Sequence, residues 1–130
     1  MPSLKSLICH VEWSYTGTPL PEYMTTYNDG HVSTYIAVPP TSTPFTIHLR
    51  SDGFIAAGLA MFVYIDGIYQ CNRNRLNLRA PSQDIPRSAT EVSFRVRQKE
   101  ESKGESHFEG KAWRFEKAMI GKLVYHHGTE

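Results

Sequence analysis

The stretch that decides the fold is Leu59–Arg75, LAMFVYIDGIYQCNRNR. Its first seven residues are apolar, and they run directly into Asp66-Gly67. An Asp-Gly pair favours a two-residue hairpin turn, because glycine tolerates the positive φ angle that a type I′ turn requires. The return arm is polar and basic, ending in CNRNR. We therefore predict a β-hairpin whose apolar arm, which lacks polar alternation, is a central strand covered on both faces.

Other segments alternate between apolar and polar side chains, as half-buried strands do. In the clearest of them Val92, Phe94 and Val96 point inward. In the first strand, His10 and Glu12 occupy the alternate positions that point outward. The predicted strands are Leu4–Trp13, Met24–Tyr27, His31–Val38, Phe45–Arg50, Leu59–Ile65, Ile68–Arg79, Glu91–Lys99, Phe108–Phe115 and Leu123–Tyr125.

Turn signals separate these strands at intervals of about 8–12 residues, which is typical of β-sandwiches. We predict an all-β protein: a single antiparallel β-sandwich, jelly-roll-like, of seven to eight strands, with a closed β-barrel as the alternative. The chain has 130 residues, 40% of them hydrophobic and 21% charged, which suits one globular domain. We place that domain at residues 1–125 and a tail at residues 126–130. Whether the tail leads into a longer native chain is left open.

The composition also bears on the location of the protein. Cys9 and Cys71 are too few for a disulfide scaffold, and no signal peptide or membrane-spanning run is found in the sequence. We expect an intracellular protein, cytoplasmic or nuclear, with both thiols free, Cys9 in the core and no membrane partner.

Motifs of catalysis and metal binding are missing from the sequence. There is no Gly-x-Ser-x-Gly, Cys-x-x-Cys, His-Glu-x-x-His or phosphate-binding glycine loop. Asp52, Asp66 and Asp84 fall in predicted turns, and His10 and His48 are interpreted as surface residues. We therefore predict no catalytic residue, no metal ligand and no cofactor, and an unrecognised hydrolase is the least favoured alternative.

The charged residues are unevenly distributed along the sequence in one place, a basic segment. Residues 73–99 hold seven Lys or Arg and two acidic residues, although the net charge of the chain is +1. If the two strands that carry these arginines were neighbours, they would form one basic face for an acidic protein or for phosphates. The residues assigned to this partner-binding face are Arg73, Arg75, Arg95 and Arg97, with Tyr69 as an aromatic anchor.

Several segments, in order and spacing, resemble an uncharacterised family of fungal domains. They are Leu20-Pro21-Glu22-Tyr23, Tyr64-Ile65-Asp66-Gly67 and Tyr69-Gln70-Cys71-Asn72-Arg73-Asn74-Arg75, and the resemblance runs from about Ile8 to Phe115. It implies a fungal source and a β-sandwich-like domain. It implies no activity and no catalytic residues.

The leading hypothesis is a non-enzymatic protein-interaction module. A sheet fold with no catalytic signature has unpaired strand edges that accept a partner strand, and the basic face favours an acidic protein. Nucleic-acid binding through the same face is the alternative. Self-association into a homodimer is also left open.

Overall fold

The computed structural model of the chain describes residues 3–37, 42–102, 108–115 and 120–126. These residues form an all-β, sandwich-like protein, which confirms the predicted fold class. The strands are β1 (Ser3–Leu4), β2 (Leu7–Trp13), β3 (Glu22–Asn28), β4 (His31–Ala37), β5 (Phe45–Ser51), β6 (Leu59–Ile65), β7 (Ile68–Arg75), β8 (Ser93–Val96), β9 (Gln98–Ser102), β10 (Phe108–Ala112) and β11 (Ile120–His126).

The strands are arranged in four antiparallel sheets. The largest has the order β1-β2-β5-β8, a second has the order β11-β4-β3, and the pairs β6-β7 and β10-β9 complete the set. Among the described residues these sheets do not close on one another, so the barrel alternative is not what is observed.

Two tight turns show how backbone conformation builds the hairpins. Asp66 and Gly67 have φ angles of 53° and 77°, so the predicted two-residue turn between β6 and β7 is confirmed. Lys5 and Ser6 adopt the same left-handed region, at 48° and 67°, and fold β1 back onto β2. The prediction of one continuous first strand is wrong at its start, because lysine does not signal a turn and a single serine is only a weak turn signal.

The apolar arm of the central hairpin differs from its prediction. Met61 and Val63 are buried, but Phe62 and Tyr64 are 59% and 62% exposed. Among the described residues β6 pairs only with β7, so it is not a central strand covered on both faces. The strand therefore alternates between buried and exposed side chains. Its exposed positions hold aromatic residues, where a half-buried strand normally has polar ones.

The core lies between the four-stranded sheet and the strands β4, β6 and β7. Val92 and Val96 are 3% and 1% exposed and Phe94 packs against the core, so the predicted inward parity of this strand is confirmed. The buried cluster consists of Cys9, Val11, Leu20, Ile36, Ile47, Met61, Val63, Cys71, Val96, Trp113 and Phe115.

Neither cysteine forms a disulfide, and Cys9 is buried in the core, as predicted; Cys71 is buried as well. Burial raises the pKa of the Cys9 thiol to about 12, so this thiol is a neutral part of the core. In the described part of the chain, no helix has the length and apolar character needed to cross a membrane.

Candidate functional site

The outward-parity side chains of β2 and β5 form a polar cluster. The antiparallel register places His10 directly opposite His48, and His48 directly opposite Arg95 on β8. Cross-strand partners share one face of a sheet, so these three side chains form a row across three strands. Glu12 lies two residues along β2 from His10 and therefore on the same face.

Three side chains of this cluster are not exposed to solvent. His10, Glu12 and His48 are only 4%, 3% and 5% exposed. The parity predicted for them is observed, but the interpretation of the two histidines as surface residues is wrong. They contact one another and the side chains of Ser93 and Arg95.

Glu12 is the centre of the contacts in this cluster. Its Oε2 lies 2.8 Å from Nε2 of His10 and 3.8 Å from Nδ1 of His48. Its Oε1 accepts a hydrogen bond of 3.1 Å from Nε of Arg95. The two imidazole rings meet edge to face, with centroids 5.0 Å apart. One carboxylate therefore holds three nitrogen-bearing side chains together.

The two imidazoles are incompletely satisfied. Nε2 of His48 lies 2.8 Å from Oγ of Ser93, but Nδ1 of His48 and Nδ1 of His10 are buried without a hydrogen-bond partner in the described structure. Burial, together with the charge of Arg95, lowers the pKa of His48 and favours the neutral ring. A neutral imidazole keeps one nitrogen lone pair for an acceptor role or for a metal.

One ligand atom from each of His10, Glu12 and His48 lies within 4.8 Å of the other two. Sequence reasoning missed this group. The His-x-Glu spacing on a strand was a local signal, because residues two apart share a face. His48 could be added only from the pairing register of β2 with β5, which no local pattern specifies.

The structure places the predicted basic residues on separate sheets. Arg73 and Arg75 lie on β7, Arg95 lies on β8, and Arg97 follows β8 directly. β7 pairs with β6 and β8 pairs with β5, so the two groups are not on neighbouring strands. Arg95 is engaged by the carboxylate of Glu12. Their joint role as a binding face stays a prediction.

The outer side of the β6–β7 hairpin carries a second feature, an aromatic face formed by Phe62, Tyr64 and Tyr69. A bulge shifts the register between Val63 and Tyr64, so that Tyr64 pairs with Tyr69. The two tyrosine rings contact each other edge to face at 5.6 Å. With Phe62 they stay exposed, Tyr69 by 42%.

The residue inserted by the bulge, Gln70, accepts a hydrogen bond of 3.1 Å from Nε1 of the buried Trp113. This contact ties the irregular part of β7 to the core. Because of the bulge, Tyr69 lies on the aromatic face, whereas Cys71 and Arg73 lie on the opposite face of the hairpin. Of the five residues assigned from the sequence to the partner-binding face, Tyr69 alone belongs to the aromatic face.

Comparison of the chain with models of protein families, with curated proteins and with solved structures finds no match. The resemblance to a fungal family therefore stays a prediction, and functional reasoning rests on the geometry of the two features above.

Proposed function

We propose that this domain is a non-enzymatic protein-interaction module whose partner docks on the aromatic face of Phe62, Tyr64 and Tyr69. The exposure of three neighbouring large side chains carries the proposal. Contiguous exposed apolar patches with a polar rim are typical of interaction sites, and tyrosine is enriched among the residues that dominate binding energy.

The hairpin also supports a defined mode of docking. Neither β6 nor β7 pairs with a third strand among the described residues. An extended partner segment can therefore add to the edge of the hairpin by main-chain hydrogen bonds and place its side chains on the aromatic face.

Charge favours an acidic partner. Residues 59–79 contain three arginines and one aspartate, so this segment is locally cationic although the whole chain is nearly neutral. Arg75 is exposed and lies at the end of β7. A positive local field speeds the encounter with an acidic protein segment and disfavours basic competitors.

Binding of single-stranded nucleic acid is the second candidate, and a specific observation favours it. Nonspecific single-strand binding uses exposed aromatic side chains for base stacking, together with cationic groups for phosphates. The aromatic face supplies the first requirement. The second is weaker, because Arg95 is paired with Glu12 and the net charge of the chain is only +1.

An intracellular setting, cytoplasmic or nuclear, belongs to the same proposal. Two free cysteines in the core are typical of proteins kept in a reducing compartment.

The test is a selection of displayed acidic, neutral and basic peptides on the purified chain, followed by titration of the selected peptide. A triple variant, F62S/Y64S/Y69S, removes the aromatic face. Its matched control, Y23S/Y27S, removes two tyrosines of β3 that are 51% and 59% exposed.

We expect acidic peptides to be enriched, and we expect the triple variant to bind at least about tenfold more weakly while the control binds normally. Peptides that bind both variants equally well would contradict the proposal. Binding of a labelled single-stranded oligonucleotide that weakens steeply with salt and requires the aromatic face would establish the second candidate instead. Loss of a dimer in the triple variant, seen by light scattering, would identify a second copy of the chain as the partner.

A further inference from the structure

We propose that His10, Glu12 and His48 bind one divalent transition-metal ion, zinc in the first place, between strands β2 and β5. Two imidazoles and one carboxylate are a donor set that proteins use for zinc and for other transition metals. The proposal revises the expectation from the sequence that the chain has no metal site, and it is independent of the proposed protein-binding role.

The spacing of the donor atoms suits a zinc ion. Nitrogen and oxygen ligands at about 2.0–2.1 Å in a tetrahedron are separated from one another by about 3.3 Å. Oε2 of Glu12 lies 2.8 Å from Nε2 of His10 and 3.8 Å from Nδ1 of His48, values on either side of that separation. Changes of about half an ångström in these two distances bring Glu12 to a ligating separation from each imidazole, and the donor atoms of the two imidazoles lie within 4.8 Å of each other.

The groups behind two of the three donor atoms, those of His48 and Glu12, are arranged as in a metal site. Nε2 of His48 contacts Oγ of Ser93, which directs Nδ1 toward the cluster. Arg95 holds Oε1 of Glu12 and leaves Oε2 for an ion. Outer hydrogen bonds of this kind fix the tautomer and the orientation of metal ligands.

An unsatisfied buried atom is the observation that favours an ion over a simple ion-pair network. Nδ1 of His48, on a residue only 5% exposed, has no hydrogen-bond partner, and its distance to Glu12 is too long for a hydrogen bond. Buried polar atoms without partners are rare and require an explanation. Coordination of an ion supplies the missing partner, whereas the contacts of Arg95 and His10 with Glu12 do not.

The burial of the three ligands also indicates what the ion does. Side chains this enclosed, at 3–5% exposure, are not accessible to a large substrate. A bound ion links β2 to β5 and stabilises the folded state in proportion to its occupancy. Three protein ligands completed by a water are the pattern of catalytic zinc sites, so we infer a stabilising site from the burial of the ligands and not from their number.

The test uses the full chain without an affinity tag, stripped of metal by a chelator and titrated with Zn²⁺ and Co²⁺. We expect one ion per chain, a rise of the melting temperature, and visible cobalt bands of four-coordinate type without a thiolate-to-cobalt charge-transfer band. Charge-transfer absorption would assign the ion to a cysteine and overturn the proposal.

The variants H10A and H48A are expected to weaken cobalt binding more than about a hundredfold, since each removes a ligand. S93A removes only the outer partner of His48 from an exposed position, so it folds and is expected to weaken binding about tenfold. If the ligand variants fail to fold, S93A keeps the proposal testable.

Two histidine controls test for binding at His31 and at the pair His126-His127. H31A and the double variant H126A/H127A leave the proposed ligands intact and are expected to bind cobalt like the wild type. Absence of binding by the wild-type chain at micromolar zinc, binding that survives in both H48A and S93A, or loss of binding in the controls would each overturn the proposal.

Discussion

Glu12→Ala is the substitution that tests the polar cluster most directly. Glu12 is 3% exposed and its carboxylate contacts both Arg95 and His10. The substitution removes the acceptor of both contacts and leaves a cavity on the buried face of β2. We expect a large loss in the free energy of unfolding, measured without added metal and with a chelator present.

The magnitude follows from the exposure of the two partners. Each hydrogen bond to a charged group contributes about 1.5–3 kcal/mol, and breaking a buried charge pair costs about 3–5 kcal/mol. The side chain of Arg95 is 60% exposed, so its guanidinium regains water when Glu12 is lost. His10 cannot regain water in the same way, because it stays buried. We therefore expect a loss near the lower limit, about 3 kcal/mol for Glu12→Ala.

The assay is equilibrium unfolding in urea, followed by tryptophan fluorescence, to which Trp13 and the buried Trp113 contribute. The matched control is Arg87→Ala. It breaks the ion pair between Arg87 and Glu91, in which the arginine side chain is 84% exposed. Exposed pairs contribute about 0–1 kcal/mol, so the control is expected to unfold near the wild-type midpoint.

A double variant, E12A/R95A, separates the lost contact from the cavity. If Arg95 acts through Glu12, its removal costs little more once Glu12 is absent. A loss below about 0.5 kcal/mol for Glu12→Ala would refute the reasoning, because that value is typical of surface substitutions. Full additivity in the double variant would refute the contact with Arg95.

The remaining predictions concern the core, the turn and one buried carboxyl group. Val96→Ala deletes two methyl groups from a side chain that is 1% exposed, so we expect a loss of about 2–3 kcal/mol in the same urea assay. Gly67→Ala meets no atom within 4 Å but retains a φ of 77°, so we expect a loss of about 1–2 kcal/mol. Gly58→Ala has an ordinary φ and places its Cβ 3.3 Å from the side chain of Leu76, which is 70% exposed and can move, so we expect it to be nearly neutral. Burial raises the pKa of Glu22, so the folded state holds that proton more tightly than the unfolded chain, and wild-type stability falls as pH rises from about 4.3 through the raised pKa. The Glu22→Gln variant has no such loss of stability with rising pH. In urea unfolding across pH, we expect its free energy of unfolding to exceed that of the wild type at pH 7 and not at acidic pH.

Local patterns predicted the hairpins and the inward faces well. Asp66-Gly67 forms the expected turn because its conformational preference is set within two residues. The inward parity of Val92 and Val96 follows from the two-residue period of a strand, which needs no knowledge of the partner strand.

The candidate sites were not predictable in the same way, since they depend on register and on what covers each face. The contact of His48 with Glu12 requires β2 and β5 to pair in one particular register across a long sequence separation. The aromatic face requires that the outer side of β6 stays uncovered, and its apolar sequence suggested the opposite. Apolar composition reports the tendency of a strand to be covered, and it does not tell whether this chain or a partner provides the cover.

The position of the aromatic face therefore bears on its purpose. Met61, Val63 and Cys71, on the inner side of the same hairpin, already attach it to the core. Phe62 and Tyr64 retain more than half of their exposure, so the fold gains little from their burial and would be stabilised almost as well by polar residues. Large exposed aromatic side chains also carry a risk of aggregation. The proposed partner would cover these side chains, and the polar cluster lies on another sheet, so it can be altered without touching that surface.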